Sequence, residues 1–210
     1  MPLHAHCIWP AAHGKLPPGL TEIVAGDVAV LVSDDWPGPE RHLAVIETAC
    51  GLAPTLPLPP GATFAAAEPL RTWLGQRRES LRAALRGVAG RAEWLLTLEE
   101  DAAAHRAWLA AEDPGLASPG SPIEAARRAR LDFLASRLAR LTAAVAPLSA
   151  APPPEGAAGA WTLLATEPTM ALLMQILETE ARLLEPSGLG LALAGPGPAF
   201  AFARRALLDG

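Results

Sequence analysis

Proline and glycine constrain this chain more than any other feature: it carries 22 Pro and 18 Gly in 210 residues, and neither is welcome inside a helix or a central strand. They must stand between elements as punctuation. What lies between them is apolar in an unusual way. Half of the residues are hydrophobic, much of that Ala and Leu, with no Tyr and only 4 Phe, a balance that favours helix over a large β structure. That is ample for a core and excludes disorder along the whole length. The length allows one large domain or two small ones.

Charge and cysteine usage narrow the class. Formal net charge is −5 and Lys15 is the single lysine; the arginines are interleaved with glutamates along predicted helices, so the clustered positive footprint of a nucleic-acid binder is missing. Cys7 and Cys50 lie far apart, and the N-terminus lacks the basic start and apolar run of a secretion signal. A cytoplasmic protein with two small, buried, unpaired thiols is expected. The longest uncharged stretches, residues 142–154 and 186–203, are broken by Pro and Gly, so no membrane span is expected.

Periodicity places the elements. Residues 4–9 read as a short strand stopped by Pro10. Residues 27–33 read as a stronger one, whose β-branched run suits a central strand covered on both faces. After the turn Trp36-Pro37-Gly38-Pro39, residues 40–50 read as a helix with Leu43, Ile46 and Ala49 or Cys50 inward. Residues 55–61 carry too many prolines for a strand interior and read as an edge strand or extended segment. Leu70, Leu74, Leu81, Leu85 and Val88 recur at helical spacing within residues 65–88. Residues 91–99 alternate like a strand, and a domain boundary is placed just before them. This gives an N-terminal α+β domain, 1–90, and a C-terminal domain, 91–210.

In the second half, helices are expected over residues 101–112 and 123–146, the latter striped by Leu131, Leu134, Leu138, Leu141 and Val145. Residues 147–159 read as a mobile Pro/Ala/Gly linker. A strand is expected over 161–165. Thr166 then caps a helix that has Pro168 in its first turn and Met170, Leu173, Leu177, Ala181 and Leu184 on its buried face. Residues 189–194 read as a last strand, Gly195-Pro196-Gly197-Pro198 as a rigid turn, and Phe200 and Phe202 as alternating positions of a strand or extended arm. The expected fold class is therefore α+β. It has two small layers of amphipathic helices on short sheets, the C-terminal one a modified ferredoxin-like fold.

Candidate chemistry is sparse. His4, His6 and Cys7 are metal-ligand types that His13 and Cys50 could complete, but no second paired motif makes the spacing specific, so structural or surface roles are expected. Asp34-Asp35 and Glu99-Glu100-Asp101 fall at strand ends and read as solvated exits. Gly188-Leu189-Gly190 opens a strand, the wrong context for phosphate, and there is no nucleophile elbow or phosphate loop. Arg127, Arg128, Arg130, Arg137 and Arg140 read as a solvated helix face, with an acidic partner as the secondary reading.

Four ordered blocks carry a family resemblance. Residues 26–34 (GDVAVLVSD) resemble the early strand of the gas-vesicle F/L family, residues 56–64 (LPLPPGATF) its proline-rich segment, and residues 90–94 (GRAEW) the start of its mid-chain strand. Residues 191–203 (LALAGPGPAFAFA) resemble its closing Gly-Pro-Trp-Pro-Pro-Tyr-Ser-Phe-like block, with Gly197, Ala199, Phe200 and Ala201 in place of Trp, Pro, Tyr and Ser. Ser118-Pro119-Gly120 resembles the loop before the family's long helix. The resemblance implies a non-enzymatic accessory or minor structural protein of gas vesicle assembly, without cofactor. It would bind the very hydrophobic major shell protein, and other vesicle accessory proteins, to limit aggregation or nucleate the shell. A sheet edge or apolar groove can hold such a partner, and Leu56, Leu58, Phe64, Pro196, Pro198, Phe200 and Phe202 are the candidate contacts. The alternative is a ligand-binding or enzymatic module on a ferredoxin-like scaffold, to be recognised by a closed polar pocket with convergent titratable groups.

Overall fold

The computed structural model describes residues 2–11, 16–151, 153–155 and 157–208. The chain divides into two compact units, Met1–Glu93 together with Pro196–Gly210, and Trp94–Gly195. The C-terminal residues expected in the second domain thus cluster with the first.

The first unit is built on β1 (Leu3–Pro10), β2 (Thr21–Ala25), β3 (Val28–Ser33), β4 (Leu56–Pro57) and β5 (Thr63–Phe64), in the order β2-β3-β1-β4 with β5 also paired to β1. The pairings are antiparallel. The β3 strand is internal and buried over Val28–Val32, as its apolar run requires. The proline-rich segment supplies only an edge: Ile8 faces Leu56 and Cys7 faces Pro57, where a missing amide hydrogen costs least. β2 was not expected, although its Thr-Glu-Ile-Val-Ala run followed by Gly26-Asp27 is a hairpin signal. The register of β1 against β3 slips between Ala5 and Cys7, leaving His6 as the extra residue of a bulge.

Helices α1 (Pro39–Leu52) and α2 (Ala67–Val88) cover this sheet. The buried face of α2 is Leu70, Leu74, Leu81, Leu85 and Val88, as the spacing predicts. In α1 the inward face is His42, Ile46 and Ala49. Ile46 and Ala49 lie inward as expected, but Leu43 is 40% exposed and Cys50 is exposed, and His42 takes the inward place expected of Leu43. The reason is polar: His42 reaches partners on β1 and beyond β4 that Leu43 could not use.

The second unit runs β6 (Ala92–Glu100), α3 (Ala102–Glu112), α4 (Ile123–Ala143), β7 (Leu148–Ala150), β8 (Ala157–Ala165), α5 (Glu167–Leu184) and β9 (Leu189–Gly197), with sheet order β7-β8-β6-β9. This is the β-α-β-β-α-β plan with one extra helix in the first crossover, a modified ferredoxin-like fold. Its core joins Leu96 and Leu98 of β6 to Leu134 and Leu138 of α4, Leu163 of β8, and Met170, Leu173 and Leu177 of α5. Thr166 caps α5 by accepting from Thr169 N, and Asp101 caps α3 by accepting from Ala103 N and Ala104 N.

Two expectations are corrected here. Part of the stretch read as a linker is β7, paired antiparallel with β8 through Leu148 and Leu163; as an edge strand it accepts neighbouring prolines, and positions 152 and 156 fall outside the described residues. The segment after Pro198 is no extended arm but helix α6 (Phe200–Leu208). Its alanines, leucines and arginines are strong helix formers, and that outweighs the alternation of two phenylalanines.

Candidate functional site

In the first unit α6 packs against β4 and α2, and α2 packs against β4 and β5. The two candidate segments, remote in sequence, therefore meet. Their residues differ in depth. Leu56 and Leu58 are buried, Phe64, Pro198, Phe200 and Phe202 are half-buried, and Pro196 is exposed. Phe200 leans on the cluster formed by Cys7, Trp9, Ala29, Leu31, Ile46 and Ala49. Phe64 stacks at a tilt on Trp73, with ring centroids 5.7 Å apart, and the Arg77 guanidinium lies 5.3 Å from the centre of the Trp73 ring.

Glu93 holds α6 in place. Its carboxylate accepts from Ala201 N at 2.8 Å, at the helix start where amide hydrogens lack internal partners. Burial pushes the carboxyl above the usual range, against the lowering pull of the Ala201 and Phe202 amides. The glutamate of the GRAEW block thus contacts the closing block, which spacing alone could not show. Glu93→Ala is expected to loosen α6 by about 1 kcal/mol, whereas Glu93→Gln, which keeps an oxygen and carries no charge to desolvate, should be near neutral. Amide hydrogen exchange over residues 201–207 checks both.

The remaining candidates have structural roles. Cys7 is buried and Cys50 exposed, both free, so only Cys7 behaves as the expected buried hydrophobe. His13 falls outside the described residues, and among the described residues no group of three or more His, Cys, Asp or Glu is placed to hold a metal. Asp34, Asp35 and Glu99 are exposed, as read. Glu100 is not a solvated exit: it turns inward, accepting from His105 Nδ1 at 2.7 Å and from Arg127 Nη1 at 2.5 Å. His105, missed in the sequence, is fully buried on α3.

Much of the arginine face is engaged. Arg127 also donates to Glu124, which pairs with Arg106 as well. Arg137 pairs with Glu180 of α5 at 2.6 Å, and Arg130 lies 4.1 Å from the centre of the Trp108 ring. Arg128 and Arg140 remain exposed.

The second unit carries a shallow apolar groove between α5 and the edge strand β9, lined by Leu96, Met174, Leu177, Ala181, Leu191 and Leu193 with Glu178 as its charged member. It is not the closed polar pocket of the alternative reading. Among the described residues, no helix is long and apolar enough to cross a membrane.

An α+β protein with a ferredoxin-like second unit, and two signature segments joined in its first, is the class this geometry defines. The chain belongs to the gas vesicle synthesis protein GvpL/GvpF family, whose profile matches residues 17–147. Its fold is similar to the crystal structure of the gas vesicle protein GvpF from Anabaena sp. PCC7120, with a TM-score of 0.76 at 16% identity over 96% of this chain and 98% of that one. It is also similar to GvpF from Microcystis aeruginosa, with a TM-score of 0.73 at 15% identity over 96% and 98%. The comparison with curated proteins gave no match.

Proposed function

We propose that this protein is a non-catalytic accessory of gas vesicle assembly. It binds the hydrophobic major shell protein in the cytoplasm, limiting its aggregation or helping to nucleate the shell. The observation that carries this reading is the meeting of the proline-rich segment and the closing block on one side of the first unit. Leu56 and Leu58 support that surface from beneath, while Phe64, Pro196, Pro198 and Phe202 retain exposure. Partly exposed aromatic and proline residues on a rigid backing suit an apolar partner at low entropic cost.

Co-expression with a gas-vesicle major shell subunit and affinity capture of this chain tests it. Wild type is expected to retain the subunit, and the double variant Phe64→Ser, Phe202→Ser to retain at least about tenfold less, a loss of roughly 1.4 kcal/mol or more, while melting cooperatively. Capture of no gas-vesicle protein by the wild type would sink the reading. Undiminished capture by the folded double variant would leave the partner standing and refute the surface.

A further inference from the structure

Four contacts run in a line across the first unit. His42 Nε2 lies 3.1 Å from the Leu58 carbonyl oxygen, His42 Nδ1 lies 2.9 Å from His6 Nδ1, His6 Nε2 lies 2.9 Å from Ser33 Oγ, and Ser33 Oγ lies 2.7 Å from the Asp35 carbonyl oxygen. Both ends of the line are carbonyl oxygens, which only accept. Four contacts need four hydrogens. Two neutral imidazoles and one hydroxyl supply three.

We propose that His42, His6 and Ser33 form a one-proton acid sensor: the line lacks a hydrogen while both rings are neutral, closes when the pair takes up a single proton, and rejects a second. With one added proton, His42 Nε2–H donates to Leu58 and Ser33 Oγ–H to Asp35. His6 Nε2–H donates to Ser33, and one hydrogen is shared between the two Nδ1 atoms. A second proton would set one Nδ1–H against the other.

The bulge and the neighbouring aromatic ring fit that state, and burial opposes it. The bulge at His6 aims its ring at α1. Trp36 lies 5.3 Å from the His42 ring, where an aromatic face favours a cation. The ionisable neighbours are few: His4, on the same strand, lies 5.9 Å from Trp36, and Asp34 and Asp35, just after β3, face solvent. Among the described residues no carboxylate bonds either ring. Burial, with the charges of His42 and His4, lowers His6 to about 4, and burial lowers His42 too, against the raising effect of the Leu58 carbonyl. Folded values below the unfolded ones mean that this stability is full above the ordinary histidine range, near 6.5, and is lost as pH falls toward 4. The line ties α1, the proline-rich segment and the end of β3 to β1, so acid acts on how these elements dock.

An NMR titration of the histidine rings in the full chain, with Ser33→Ala beside the wild type, tests the count. His6 and His42 should titrate together, taking one proton between them with a common midpoint below the ordinary value. Two protons on the folded pair, or none before unfolding, would overturn the proposal. Because Ser33 stabilises the charged state by accepting, Ser33→Ala should lower the midpoint by about half a unit or more. If Ser33 instead donates to a neutral His6, the midpoint rises, and a rise or no change refutes the count. Should Ser33→Ala fail to fold, the wild-type proton count decides alone.

Discussion

Gly188→Ala should destabilise the second unit by about 2–5 kcal/mol, seen as a lower urea midpoint with an unchanged slope. Gly188 has φ +70°, a conformation that costs a residue with a Cβ about 1–2 kcal/mol. The added Cβ would also stand 2.6 Å from Ala104 Cβ, 2.8 Å from His105 N and 3.0 Å from Ala104 C. Two of those neighbours are main-chain atoms that cannot rotate away, so α3 has to shift, and overpacking of that kind costs about 1–3 kcal/mol more. The shift pulls on the Asp101 N to Gly188 O bond of 2.8 Å and on the Asp101 cap. Gly120→Ala is the control. With φ +81° and nothing within 4 Å of its added Cβ, it should lose only the conformational part.

Glu100→Ala is expected to cost about 2–3 kcal/mol. The Glu100 side chain is 9% exposed and the His105 side chain 0%, so removing the carboxylate strands a buried imidazole N–H and takes one anion from Arg127. Breaking a fully buried pair costs about 3–5 kcal/mol. The lower figure applies because the Arg127 side chain is 19% exposed and keeps Glu124. Burial pushes the Glu100 carboxyl up, but the hydrogen bonds and charges of Arg127 and His105 outweigh it and hold the group below the usual range. A depressed folded value means stability present above the ordinary carboxylate pKa and lost as pH falls through the folded one. Denaturation followed from neutral to acid pH should show that loss in the wild type, and a shallower one in Glu100→Ala.

Both effects concern contacts that spacing does not reveal. Glu99, Glu100 and Asp101 look alike as a strand-end cluster, yet Glu99 is exposed, Glu100 meets His105 and Arg127, and Asp101 caps α3. Alternation along β6 accounts for part of this, since neighbouring residues face opposite sides of a sheet. Which side holds a buried histidine depends on a helix packed across it. The closing block shows the same division. Its family likeness was legible residue by residue, but Phe200 and Phe202 lie on a helix whose start is capped by Glu93, 108 positions earlier in sequence.

Local periodicity by itself determined the buried faces of α2 and α5, the central place of β3, the Thr166 cap and the α+β class. Each of these depends on residues a few positions apart, whose spacing fixes which side chains share a face. The ordered short blocks determined the family. Tertiary structure alone decided that His42 rather than Leu43 turns inward, that residues 148–150 find a partner in β8, and that the final segment returns to the first unit. In each case the deciding energy is a long-range hydrogen bond or strand pairing. Such contacts exist only once distant segments have been brought together, and so leave no period in the sequence.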